Sequence, residues 1–143
     1  MEHYCSLQVS QLLVKLGFKQ KTKSWYERYK NGYRCFNSPS PVPVFKGDFP
    51  RPTHAEAIEW LRKYKKVYIS TQTCITSTLP FTYEAMVENI DTDHYECMLV
   101  DKKDGSGYST PFKATEAALK FVLRNLLKMI SQTFKSIKDG STN

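Results

Sequence analysis

Few residues in this 143-residue chain are equipped for chemistry: three histidines, four cysteines and fourteen carboxylates. His3 with Cys5 makes an H-x-C pair, and His94 with Cys97 makes an H-x-x-C pair. Together they would close a tetrahedral zinc site only if the first residues lay against the strand carrying Cys97. Neither pair suffices alone, and the reading taken is no metal site and no cofactor. His54 stands at a helix start with no orienting partner nearby in sequence, so it reads as a surface residue rather than a base or ligand. Asp91 and Asp93 flank a tight turn, where aspartate is favoured for backbone reasons. The sequence holds no nucleophile elbow, phosphate-binding glycine loop, H-E-x-x-H or dinucleotide fingerprint. The expectation is a protein that is not an enzyme.

Cys5, Cys35, Cys74 and Cys97 form no C-x-x-C pair. A chain of this length buries roughly two thirds of its unfolded surface in one core and needs no covalent staples. Reduced, buried thiols and a cytoplasmic setting are therefore expected. No run of about 18 apolar residues is present, and Met1-Glu2-His3-Tyr4-Cys5 lacks the order of a secretory signal, so no membrane role is expected.

The elements that would position these groups are legible in outline. Ser6 is placed to cap a helix over Leu7 to Leu16, with Val9, Leu12, Leu13 and Leu16 on one face and Gly17 to stop it. Residues 24–30 and 33–37 read as aromatic-rich strands joined at Asn31-Gly32, a type I′ hairpin signal. Residues 38–52 hold five of the seven prolines and should run as an extended connector, with Val42, Val44, Phe45 and Phe49 packed at the core edge. Thr53 with Glu56 is a capping box opening a helix to about Lys66, with Ala57, Ile58, Leu61, Tyr64 and Trp60 inward and Glu59–Lys63 outward as an i,i+4 pair. Strands follow over 66–74, 81–90 and 94–101 as an antiparallel meander. The last helix runs from Lys113 to about Ile137.

That last helix carries more apolar surface than one face can hide. Leu119, Val122, Leu123, Leu126, Ile130, Phe134 and Ile137 form the stripe, and Phe121, Leu127 and Met129 broaden it. Either the first helix, the proline segment or a second copy must cover the excess, and Phe121, Leu127, Met129 and Phe134 are the candidate interface. The other face presents Lys113, Lys120, Arg124, Lys128 and Lys135. Lys120, Arg124 and Lys128, helped by Lys19, Lys21 and Lys23, are the candidate nucleic-acid contacts. Glu116 is read as an interruption of that ladder. Charge is uneven: nine Lys/Arg against three Asp/Glu in residues 1–52, six against nine in 53–112, and six against two in 113–143. A polyanionic partner is thus allowed but not required.

From Thr53 onward the order of elements resembles the αβββα layout of double-stranded RNA-binding domains, with Gly105-Ser106-Gly107 ahead of the last helix. The basic cluster that family places at that helix is replaced here by Lys113 and Glu116, so only the layout is implied. Over most of the chain, Tyr4-Cys5-Ser6, Leu16-Gly17-Phe18, His54 to Arg62 and Phe112 to Leu119 resemble a group of small uncharacterised proteins encoded on phage-like and other mobile elements of gut anaerobic bacteria. The resemblance implies a fold and a setting and no catalytic residue. A helix-start threonine expected near Ala114 is missing, leaving the cap to Thr115 or Thr110.

The expected molecule is a single α+β domain over 1–143 in the order α-β-β-α-β-β-β-α. It holds an antiparallel sheet of hairpin plus three-stranded meander, helices mainly on one face, and a disordered tail over 138–143. It acts by binding a protein partner or itself, with nucleic acid as the alternative and an enzyme site assembled only by folding as the third reading.

Overall fold

The computed structural model describes residues 2–74, 81–90, 96–100 and 106–140, with backbone alone for 96–100 and 139–140. The fold is α+β with antiparallel sheets. In chain order the elements are α1 (Leu7–Lys15), β1 (Thr22–Tyr29), β2 (Gly32–Val42), β3 (Phe49–Pro50), α2 (His54–Lys65), β4 (Val67–Thr73), β5 (Tyr83–Asn89), β6 (Glu96–Val100) and α3 (Pro111–Gly140).

The helix ends follow the local chemistry closely. Ser6 caps α1 by accepting the Val9 N–H, and Gly17 at φ 99° lets the chain leave while Phe18 N–H returns to Leu13 C=O. Thr53 and Glu56 form the complete capping box on α2. Pro111 opens α3, and the Thr110 hydroxyl accepts the Lys113 N–H, so Thr110 is the cap in place of the missing residue near Ala114. Glu59 pairs with Arg62, three residues on, rather than with Lys63. The guanidinium offers two donors to the carboxylate where lysine offers a point charge.

The strands form two sheets, ordered β2-β1-β3 and β4-β5-β6, so the hairpin stands apart from the meander. Its turn is not at Asn31-Gly32. Tyr29 pairs with Gly32, which makes Lys30-Asn31 the two-residue loop, with Lys30 at φ 52°. This register sets Trp25 against Phe36 and Glu27 against Arg34, and those cross-strand pairs override the turn preference. Nor does β2 end at Asn37: it continues to Val42 through Pro39 and Pro41. Prolines are tolerated because β2 is an edge strand and its register slips between Ser24↔Asn37 and Thr22↔Val42, leaving the prolines at the irregularity. Phe49–Pro50 adds β3 on the other side of β1. Phe45, expected at the core edge, is 79 % exposed.

One core joins the helices to the meander. Val9 and Leu13 of α1, Ala57, Trp60 and Leu61 of α2, Val67 and Ile69 of β4, Ala85 of β5, and Leu119 and Leu123 of α3 are buried together. Thr71 on the same strand face bonds the Thr115 hydroxyl of α3 at 2.7 Å, which places the start of α3 on that face. Tyr64 does not join the core; its ring lies beside Trp60 and is half exposed. Cys5 and Cys74 are buried free thiols as expected, whereas Cys35, on the edge strand, is exposed. The turn at residues 91–93, the loop at 75–80 and the Asp104-Gly105 turn lie outside the described residues.

Candidate functional site

Residues 3–5 and 52–54 run antiparallel before their helices begin. Cys5 N–H donates to Pro52 C=O at 2.9 Å and His54 N–H donates to His3 C=O at 2.7 Å. The Tyr26 hydroxyl holds the Cys5 carbonyl at 2.6 Å, tying the hairpin sheet to the same point. Two helix starts are thereby fixed side by side, and the second turn of α3 arrives across them. Glu116 Oε1 lies 2.9 Å from His54 Nε2 and accepts the Ser6 N–H at 2.9 Å. The Phe112 ring stacks on the His54 ring at 4.8 Å.

His54, expected at the surface, is thus buried and oriented by a partner 62 residues away. Glu116 does not interrupt the cationic ladder, because it faces inward. Both departures have a visible sequence basis. His54 precedes Ala57, Ile58 and Leu61 at helical spacing, and Glu116 precedes Leu119 and Leu123, so each polar residue opens an apolar stripe. Two polar groups on buried stripes must find each other or stay unpaired.

Cys5, His54 and Glu116 bring one ligand atom each within 4.8 Å of one another. Burial, and to a lesser degree the nearby Glu116 carboxylate, pushes the Cys5 thiol far above its ordinary range. A protonated thiol with no exposed surface is a poor nucleophile. Burial alone would raise the Glu116 carboxyl, but the bonds from His54 and Ser6 outweigh it and hold that carboxyl below its ordinary value. Of the H-x-C and H-x-x-C pairs, His94 lies outside the described residues and Cys97 is described by backbone alone.

The second feature is the far half of α3. Thirty residues at about 1.5 Å each make a helix of roughly 45 Å. Its first half is buried through Ala114, Ala118, Leu119, Val122 and Leu123. Beyond Lys128 the side chains are exposed: Met129 is 61 %, Ile130 41 %, Phe134 71 % and Ile137 66 % accessible. With Leu16 and the Lys65 stem these residues line an open apolar groove. Of the four candidate interface residues, Met129 and Phe134 are exposed, while Phe121 and Leu127 are half-buried against the core.

Among the ladder residues, Arg124 and Lys128 are exposed and Lys120 is half-buried. A different cationic surface lies on the hairpin. Trp25 and Phe36 stack with centroids 5.9 Å apart, and the Arg34 guanidinium lies 4.6 Å from the Phe36 ring and 4.2 Å from the Tyr29 ring. Comparison of the chain with protein-family models, with curated proteins and with solved structures returns no match, so its function must be argued from this geometry.

Proposed function

We propose that this chain is a non-enzymatic accessory binding protein that acts through protein–protein contact, as a homodimer joined by the far half of α3, in the mobile-element setting its resemblance implies. The observation that carries this reading is the continuity of one seam from the core to the surface. Leu123, Leu127, Ile130, Phe134 and Ile137 recur at alternating spacings of four and three. That is the repeat by which two helices supercoil. Leu123 is buried within its own chain, Leu127 half-buried, and the last three exposed, so the seam leaves the body still needing a helix of its own kind.

The charge beside the seam differs between its two flanks. On α3, Leu126 and Thr133 flank the seam uncharged on the groove side, which Lys65 of α2 also lines, while Arg124 and Lys138 follow the seam residues Leu123 and Ile137 on the other flank. Burying what remains exposed of Ile130, Phe134 and Ile137 would stabilise the pair by at most about 1.5–3 kcal/mol per side chain, and by less for Ile130, which is only 41 % accessible. Light scattering across a concentration series is the test. The expected result is a mass that rises towards twice that of the chain, and that stays monomeric in Phe134→Glu; a wild-type monomer at every concentration overturns the reading.

A second reading is favoured by one specific observation, the Trp25–Phe36 stack with Arg34 beside it, because aromatic faces among cations suit single-stranded nucleic acid. Arg124 and Lys128 would then add backbone contacts. A gel shift lost in Trp25→Ala supports it, and no shift at low salt removes it.

A further inference from the structure

We propose that Cys5, His54 and Glu116 form a site for a zinc-class divalent cation, which clips the starts of α1 and α2 to the second turn of α3. The donor set is sulfur, imidazole nitrogen and carboxylate oxygen, the mixture that a borderline-soft ion prefers and that a hard ion such as magnesium does not. The three atoms lie within 4.8 Å of one another. A tetrahedral zinc ion with bonds of about 2.0–2.3 Å needs its donors roughly 3.3–3.6 Å apart. Closing the widest gap, from 4.8 Å to that spacing, takes roughly 1.2–1.5 Å of movement, which side-chain rotation can supply.

The present hydrogen bonding leaves work for an ion to do. Glu116 Oε1 is shared between His54 and the Ser6 N–H, but Oε2 is buried with no donor. The Cys5 Sγ has one weak contact, to Thr53 C=O at 3.8 Å. An ion bonded to the sulfur, to a His54 nitrogen and to Oε2 would satisfy all three at once, with the Ser6 N–H still held by Oε1. Binding releases the thiol proton to solvent and replaces the His54–Glu116 hydrogen bond. One thiolate and one carboxylate neutralise the dication, and both anions sit at helix starts, where the helix dipoles favour negative charge. The fourth position falls to water or to His3, whose exposed ring has its centroid 6.2 Å from that of His54.

The site is tested on the full chain, stripped with chelator and titrated with Co²⁺ and then Zn²⁺. The expected result is one equivalent bound, a thiolate-to-cobalt charge-transfer band with the intense visible bands of four-coordinate Co²⁺, bleaching by Zn²⁺, and a higher melting temperature with Zn²⁺. A triple variant, Cys35→Ser, Cys74→Ser and Cys97→Ser, keeps Cys5 as its only thiol and should retain the band, while Cys5→Ser should lose it. Wild-type protein without a thiolate band overturns the proposal. So does a band that survives Cys5→Ser or disappears in the triple variant.

Discussion

Glu116 does three things from one carboxylate: it satisfies the Ser6 N–H at the start of α1, holds the His54 ring, and joins α3 to both neighbours. Glu116→Ala therefore strands a buried imidazole and a helix-start donor. Leaving those two buried groups unpaired costs roughly 1–3 kcal/mol each. Glu116→Gln keeps an acceptor for Ser6 and should cost about 1–3 kcal/mol. Urea unfolding of the two variants checks the order. The metal-free protein should also show the pair in its pH dependence. Because the folded Glu116 carboxyl titrates below its ordinary value of 4.5, its contribution is fully present above that value and is lost as pH falls through the folded value. The stability gap between wild type and Glu116→Gln should accordingly narrow on acidification below about pH 4, and a gap that stays constant would contradict the assignment. Gly107 is a second residue with no tolerance for change. Its φ is 76°, and an added Cβ would lie 2.7 Å from both Cys74 Sγ and Thr82 Oγ1. Gly107→Ala combines backbone strain with overpacking and should destabilise by about 1–3 kcal/mol, read as a lower melting temperature. Nothing in the sequence near Gly107 announces Cys74 or Thr82 as neighbours, because they lie 33 and 25 positions away along the chain (107 − 74 and 107 − 82).

At the scale of the element, what could be read from sequence was what short-range chemistry decides. Ser6, Gly17, Thr53 with Glu56, and the apolar stripes of the three helices act within a turn or two of themselves, and they set the helix ends as their residue types imply. The hairpin turn lies one residue before its Asn31-Gly32 signal because its register is a competition between that turn preference and cross-strand pairing of Trp25 with Phe36. Only the second is visible once both strands are aligned. The proline segment likewise reads as a connector because proline forbids central strands, whereas at the sheet edge β2 continues past Pro39 and Pro41. His54 and Glu116 were legible as polar residues on apolar stripes, yet their meeting depends on how three helices cross. The far half of α3 permits a sharper expectation. Met129→Ser and Phe134→Ser remove exposed groups and should change monomer stability by no more than about 0.5 kcal/mol. Leu123→Ala removes a fully buried side chain and should cost about 2–5 kcal/mol. Thermal unfolding at low protein concentration separates the two classes. A large loss in the Ser variants at that concentration would mean the groove is already filled within one chain.

On the scale of the whole molecule, the apolar seam and the cationic surfaces make opposite demands on the solvent. Each copy carries a formal charge of +7, so two copies repel at long range while the seam attracts at contact. Added salt screens the repulsion within about 10 Å at 0.1 M and leaves the apolar contact intact. Self-association through α3 should then strengthen as salt rises from low to moderate concentration. Nucleic-acid binding through Arg34, Arg124 and Lys128 has the reverse sign, because counterions released from the phosphates must be reclaimed and affinity falls steeply with salt. Light scattering with and without single-stranded DNA at two salt concentrations reads both. If the chain dimerises more readily at the higher salt and ignores DNA, the seam is the working surface. If a complex with DNA forms at low salt, dissolves at the higher one and leaves monomer behind, the hairpin and the ladder are, and the heptad-like spacing of Leu127, Ile130, Phe134 and Ile137 has some other use.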